Sequence, residues 1–252
     1  MKITMTKTLI LTLSNSLSLS MKDRVTKNEV SDFKNKWCDE NRIIADIIAN
    51  GVNNYFRPPI LDVGAGLGDI VYNALPDKEV ICIDVNRVTE KDYPLAEKHQ
   101  RQQIDFFDFK PTKKINTVFI SHTLQFLDED VEALIDKIRE IDPENMVLVL
   151  NKNDDFMGDL IKWSEQYYEN PNPEVKLADF PKGYKQVEQV DFKATLSCDN
   201  YEHLAMQVSY LMLIDLDENT KPALISFLKQ HLPKPEFEFN QIIEIYTKDE
   251  RE

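Results

Sequence analysis

One stretch constrains this chain more than any other. Residues 60–63 form a short apolar run, Ile-Leu-Asp-Val, that enters Gly64-Ala65-Gly66-Leu67-Gly68. An amphipathic segment follows at once, with Ile70, Val71, Ala74 and Leu75 on one side. A second apolar run over 80–85 then carries Asp84, which lies 22 residues beyond Asp62. Glycine is required where a ligand presses against the main chain, because a Cβ would fill that space. The start of the helix offers unpaired N–H groups to an anion. A carboxylate at the end of the second strand can accept two hydrogen bonds from a ribose diol. The glycine spacing alone is a weak signal, and a tight turn beside a structural Asp is the plain alternative. Strand, turn, helix, strand and acid in that order are far more specific.

The flanking chain agrees. The runs at 103–107, 118–121 and 146–150 predict three further strands, the last continuously apolar, as in the buried middle of a parallel sheet. Between the last two, Asp128 can cap a helix whose stripe is Val131, Leu134, Ile135, Ile138 and Ile141. Upstream, Trp37, Ile44, Ile47 and Ile48 predict a helix over 37–49, stopped by Asn50-Gly51. Downstream, helices are predicted from Phe156 to about Tyr168, over 200–213 and from Pro222 to Gln230. Strands are predicted over 187–197 and 239–246. This alternation argues for an α/β protein with an open, doubly wound sheet.

Composition narrows the function. The 252 residues carry 30 Lys and Arg against 44 Asp and Glu, a net charge of −14. An acidic body repels phosphate backbones, so no nucleic-acid partner is expected. Residues 1–58 hold 9 basic and 6 acidic side chains, too sparse an excess for an RNA-binding arm. No run reaches the roughly 18–20 apolar residues of a membrane span. Cys38, Cys82 and Cys198 form no Cys-x-x-Cys pair, so no metal site is expected and a cytoplasmic setting fits. Residues 1–20 show no cleavage site and read as a leader or an extra strand.

The even glycine spacing at 64, 66 and 68, preceded by Asp62, differs from the Gly-x-Gly-x-x-Gly of dinucleotide-binding proteins. It resembles motif I of the class I methyltransferases that use S-adenosylmethionine. The resemblance continues in Asp84, in Ile104-Asp105-Phe106-Phe107, and in the segment 117–129 with its His/Leu-containing turn and Asp128-Glu129 pair. It covers residues 60–150 well and the remainder by strand order alone. It implies a Rossmann-like, seven-stranded sheet of order 3-2-1-4-5-7-6 with the last strand antiparallel. It also implies a leader and helix over 1–58 capping the cofactor site, and a domain over 59–252 with a lid or insert at about 198–232. The cofactor contacts it implies are Asp62, Gly64, Ala65, Gly66, Gly68, Asp84, Val85, Asp105, Phe106, Ser121 and His122.

The implied reaction is methyl transfer to oxygen or nitrogen of a small-molecule acceptor, achieved mainly by alignment and exclusion of water. Plant-type O-methyltransferases place a general-base His in the turn after strand four. Here that position falls near Leu124 or Gln125 and holds no His, while the nearby His122 better suits lining the cofactor pocket or a structural role; the catalytic residue is left open, with His122 and Gln125 as candidates. Strand four ends in Ser121-His122 rather than in the Asp that holds magnesium in catechol-type enzymes, and no metal is expected. Trp163, Tyr167, Tyr168, Phe180 and Tyr184 could wall an acceptor pocket or pack as ordinary core. Trp37 and Asn41 could close over the cofactor. A non-catalytic cofactor-binding scaffold and a protein methyltransferase are the other readings.

Overall fold

A computed structural model describes residues 36–86, 95–124, 131–168, 183–212 and 214–249. The leader at 1–20, Gln125, Asp128, Glu129 and Phe180 lie outside the described residues.

Seven strands form one sheet in the order β3-β2-β1-β4-β5-β7-β6. They are β1 Ile60–Val63, β2 Val80–Asp84, β3 His99–Gln103, β4 Thr117–Ser121, β5 Asn145–Asn151, β6 Tyr184–Ser197 and β7 Glu236–Lys248. Strands β1 to β5 run parallel, and β7 runs antiparallel to β5. The expected strand order and the antiparallel final strand are both present. The helices are α1 Glu40–Ile47, α2 Asp69–Ala74, α3 Val131–Ile141, α4 Asp155–Ser164, α5 Tyr201–Met212 and α6 Thr220–His231. None of the described helices is long and apolar enough to cross a membrane.

Successive side chains on a strand point to opposite faces, so one register builds two cores. On one face Ile60, Val80, Phe119, Val147 and Ile245 meet Ile44 of α1, Ile48 just beyond it, and Ile70 and Val71 of α2. On the other, Leu61, Ile81, Val118, Met146 and Leu148 meet Leu134, Ile138 and Ile141 of α3. Of the predicted stripe of α3, Leu134, Ile138 and Ile141 are buried and Ile135 is half buried.

Two local expectations differ from the structure. The helix does not stop at Asn50-Gly51; it widens into a π turn, Ile48–Val52, and a short 3-10 turn, Asn53–Tyr55. Val52 and Phe56 are both buried, and their packing carries the chain past a signal that local propensity reads as an end. The third strand lies at His99–Gln103, not at 103–107. Its polar His-Gln-Arg-Gln-Gln sequence suits an edge strand, while the apolar Phe106 and Phe109 belong to the turn that follows and are buried there.

By compactness the chain forms two units. The larger contains 39–196 and 237–249, hence the whole sheet but for its boundary residues. The smaller contains 197–236 with residues 36–38. Within it Leu204, Val208, Leu224 and Leu228 are fully buried, and Trp37 meets the His203 ring edge-on at 4.3 Å between centroids.

Candidate functional site

The glycine turn leaves β1 with three left-handed residues: Gly64 at φ 64°, Gly66 at φ 54° and Gly68 at φ 76°. L side chains strongly disfavour such angles. At Gly64 space forbids a side chain as well, since a Cβ there would lie 2.3 Å from the side chain of Thr123. The turn after β4 is thus pressed onto the turn after β1. Thr123 is held in place by a 3.0 Å hydrogen bond from its Oγ1 to the carbonyl of Ser121, the last residue of β4. The N–H of Ala65 donates to the carbonyl of Ile83 at 3.0 Å, and the N–H of Gly68 to Ala65 at 2.8 Å.

Asp84 meets the same turn from β2. Its Oδ2 accepts the N–H of Gly66 at 2.9 Å, and its Oδ1 accepts that of Asn86 at 2.7 Å. A carboxylate has room for about four donors, so capacity remains on both oxygens. The Asp84 carbonyl accepts the N–H of Ile104 at 3.0 Å, which brings the segment after β3 alongside. There Asp105 is exposed, and its Oδ1 takes the N–H of Phe107 at 2.9 Å. Phe106 turns into the core at 3% exposure, whereas Val85 at 40% and Phe107 at 38% stand out from the surface. Phe106 is thus a core residue, and Phe107 is the exposed aromatic of the pair.

Beneath the turn, Asp62, Cys82 and Arg101 stand in register across β1, β2 and β3. Asp62 is buried. Arg101 Nη2 donates to the Leu67 carbonyl at 2.6 Å and would lie 3.3 Å from a Cβ on Gly68. Its Nε and Nη1 are buried without a hydrogen-bond partner among the described residues. Burial, and after it the charge of Asp62, hold the Cys82 thiol far above its ordinary range, with Arg101 pulling the other way. Cys82 is consequently a packing residue and not a thiolate nucleophile.

Helix α1 joins the site through its first turn. Asn41 Nδ2 donates to Asp69 Oδ2 at 2.8 Å, tying α1 to the residue that opens α2. The preceding residue, Glu40, faces the ends of β4 and β5: its Oε1 accepts Gln241 Nε2 and lies 3.1 Å from His122 Nε2. Gln241 also donates to Asn151 Oδ1 at 2.9 Å. His122 follows β4 with a left-handed φ of 51°, and its side chain stays 20% exposed.

The structure thus brings Gly64, Ala65, Gly66, Gly68 and Asp84 together, with Val85, Asp105 and Phe106 beside them and Ser121 and His122 across from Gly64. Asp62 lies below. Sequence reasoning passed over Arg101, Glu40 and Gln241, and took Phe106 rather than Phe107 as the contact in the segment after the third strand. A charged residue inside an edge strand and a Glu opening an otherwise apolar helix face were the available signals.

No protein-family model matches the chain, and no curated protein matches it. Solved structures do. Magnesium protoporphyrin IX methyltransferase from Synechocystis PCC 6803, which holds S-adenosylhomocysteine, is 13% identical over 83% of each chain, with a TM-score of 0.50. The cyclase SpnF is 14% identical over 83% of this chain and 80% of its own, with a TM-score of 0.51. A protein of unknown function from Deinococcus radiodurans R1 is 9% identical over 91% of this chain and 99% of its own, also at 0.51. At these identities the likeness is one of architecture. Together with the strand order 3-2-1-4-5-7-6, it shows that the chain has the Rossmann-like, seven-stranded fold of the class I methyltransferases.

Proposed function

We propose that the chain is an S-adenosylmethionine-dependent methyltransferase acting on oxygen or nitrogen of a small-molecule acceptor. The observation that carries the reading is the Asp84 carboxylate bound to Gly66 N–H at 2.9 Å with lone pairs to spare. Asp84 would take the ribose hydroxyls. Val85 and Phe107 would flank the adenine, and Asp105 would meet its amino group. The glycine turn would leave room for the amino-acid end, and the negative charge of Asp62 beneath it favours an ammonium group. The cofactor supplies a methyl group on a positively charged sulfur. The chain's own work is to hold the acceptor in line with that methyl and to keep water out.

Calorimetry with S-adenosylmethionine and S-adenosylhomocysteine tests this reading directly. Binding is expected for both, and Asp84→Ala is expected to weaken it about 10–100-fold, the loss of one or two hydrogen bonds to a charged group. Folded wild-type protein that gives no heat with either ligand would refute the proposal. Release of S-adenosylhomocysteine against a panel of hydroxyl and amine metabolites then identifies the acceptor. The likeness to a cyclase supports one other reading, a pocket retained for a different use. That reading predicts cofactor binding without turnover on any acceptor.

A further inference from the structure

Arg101 carries a charge to the underside of the glycine turn. It stands in the middle of β3, in register with Cys82 of β2 and Asp62 of β1, and reaches past the buried Cys82 to the turn. Its Nη2 donates to the Leu67 carbonyl at 2.6 Å and closes on Gly68, where a Cβ would stand 3.3 Å from it. Nε and Nη1 are buried and make no hydrogen bond among the described residues. Taking a charge out of water is costly unless its donors are met. A guanidinium cannot shed its proton as a buried lysine can, so the charge persists. Methionine would fill similar space without that cost. Packing does not account for a cation kept there; the peptide it holds does.

That peptide joins Leu67 to Gly68 and is bonded at both ends, its carbonyl to Arg101 and its N–H to the Ala65 carbonyl at 2.8 Å. The Gly68 carbonyl then accepts the N–H of Tyr72 at 3.0 Å and starts α2. Gly66 is fixed from β2, its N–H on Asp84 Oδ2 at 2.9 Å. Glycine loses more conformational freedom on being fixed than any other residue. A turn with three left-handed glycines, left unheld, would sample many shapes, and a ligand would have to order it at a cost in affinity. A charged donor on the Leu67 carbonyl sets the plane of one of its peptides more firmly than a neutral donor could.

We propose that Arg101 is a positioning residue for the cofactor: its guanidinium holds the Leu67 carbonyl and so keeps the glycine turn in its binding shape before the ligand arrives. It acts through the turn and touches neither cofactor nor acceptor. This deepens the methyltransferase reading and rests on it for the identity of the ligand. Stability and affinity pull apart at such a residue, because the buried charge weakens the fold while the bond it makes prepares the site.

Arg101→Met separates this role from packing. The variant is expected to melt no lower than wild type, since a buried cation with unmet donors is removed, yet to bind S-adenosylhomocysteine at least about 10-fold more weakly. Amide hydrogen exchange reads the turn itself. The Gly68 N–H is expected to be protected in unliganded wild type and to exchange at least about 10-fold faster in Arg101→Met. Unchanged affinity or unchanged Gly68 exchange in the folded variant overturns the proposal. A melting temperature that falls along with affinity marks Arg101 as a packing residue and overturns it too. Where Arg101→Met does not fold, Arg101→Gln, uncharged and shorter, is held to the same affinity and exchange criteria. Wild-type protein that binds no S-adenosylhomocysteine, while the variant still shows faster Gly68 exchange, refutes the methyltransferase reading and leaves the Arg101 clamp standing.

Discussion

At Gly64 two independent reasons for glycine coincide, a left-handed φ and a neighbour 2.3 Å from where a Cβ would stand. Either alone has a remedy: Asn tolerates the angle, and an open turn tolerates the volume. Together they leave none, because the obstructing Thr123 is itself bonded to Ser121. Gly64→Ala is therefore expected to destabilise the protein by about 2–4 kcal/mol, strain and overpacking combined. It should also abolish S-adenosylhomocysteine binding. Thermal melting and calorimetry check this, and Thr123→Gly in the same chain should recover part of the stability. Gly51 is the contrasting case: a Cβ there meets nothing within 4 Å, so Gly51→Ala should be mild or favourable. The distinction was legible only in part from the sequence. Even spacing after an apolar run marks Gly64, Gly66 and Gly68, and an Asp closing the next run marks Asp84. Glu40 and Gln241 stand 201 residues apart and meet only because β7 inserts beside β5. No local pattern encodes that meeting.

Among the elements, β3 is the one that periodicity misplaced. Its alternation is masked because Gln100, Gln102 and Gln103 sit at the sheet's edge, while the inward His99 and Arg101 are themselves polar. His99 is 6% exposed; its Nε2 lies 3.0 Å from the Leu75 carbonyl, and its Nδ1 is buried without a hydrogen-bond partner among the described residues. Burial lowers its pKa, and the Leu75 contact opposes this only in part. The sign follows from linkage. With the folded value below the unfolded one, which is about 6.5, the unfolded chain takes up the proton first as pH falls. The contribution of His99 to stability is thus complete above that value and is lost progressively below it. Denaturant melts between pH 5 and 8 should show the decline, and His99→Gln should flatten it. An unchanged slope in the variant would assign the decline to other groups. The central strands were easier to read, because β1, β4 and β5 are buried on both faces and are written as near-continuous apolar runs.

For the molecule as a whole, charge is the dominant long-range term. Surface ion pairs exist, such as Arg57 with Glu144 at 3.0 Å and Lys152 with Asp191 at 2.7 Å. Exposed pairs contribute about 0–1 kcal/mol each, and salt weakens them. Salt also weakens the self-repulsion of a chain with net charge −14, which acts between all its surface carboxylates. The repulsion is the larger effect, so the melting temperature is expected to rise between about 10 mM NaCl and physiological ionic strength, where the screening length falls from about 30 Å to 8 Å. A falling melting temperature would mean that the ion pairs dominate. The strand order carries a further lesson about synthesis. β7 lies between β5 and β6, yet it is the last of the seven to leave the ribosome. Until residue 248 has emerged, β5 presents a bare apolar margin and β6 has no neighbour on that side. A nascent or prematurely terminated chain must therefore carry an open β5 edge, and its dependence on chaperones should end abruptly once β7 docks.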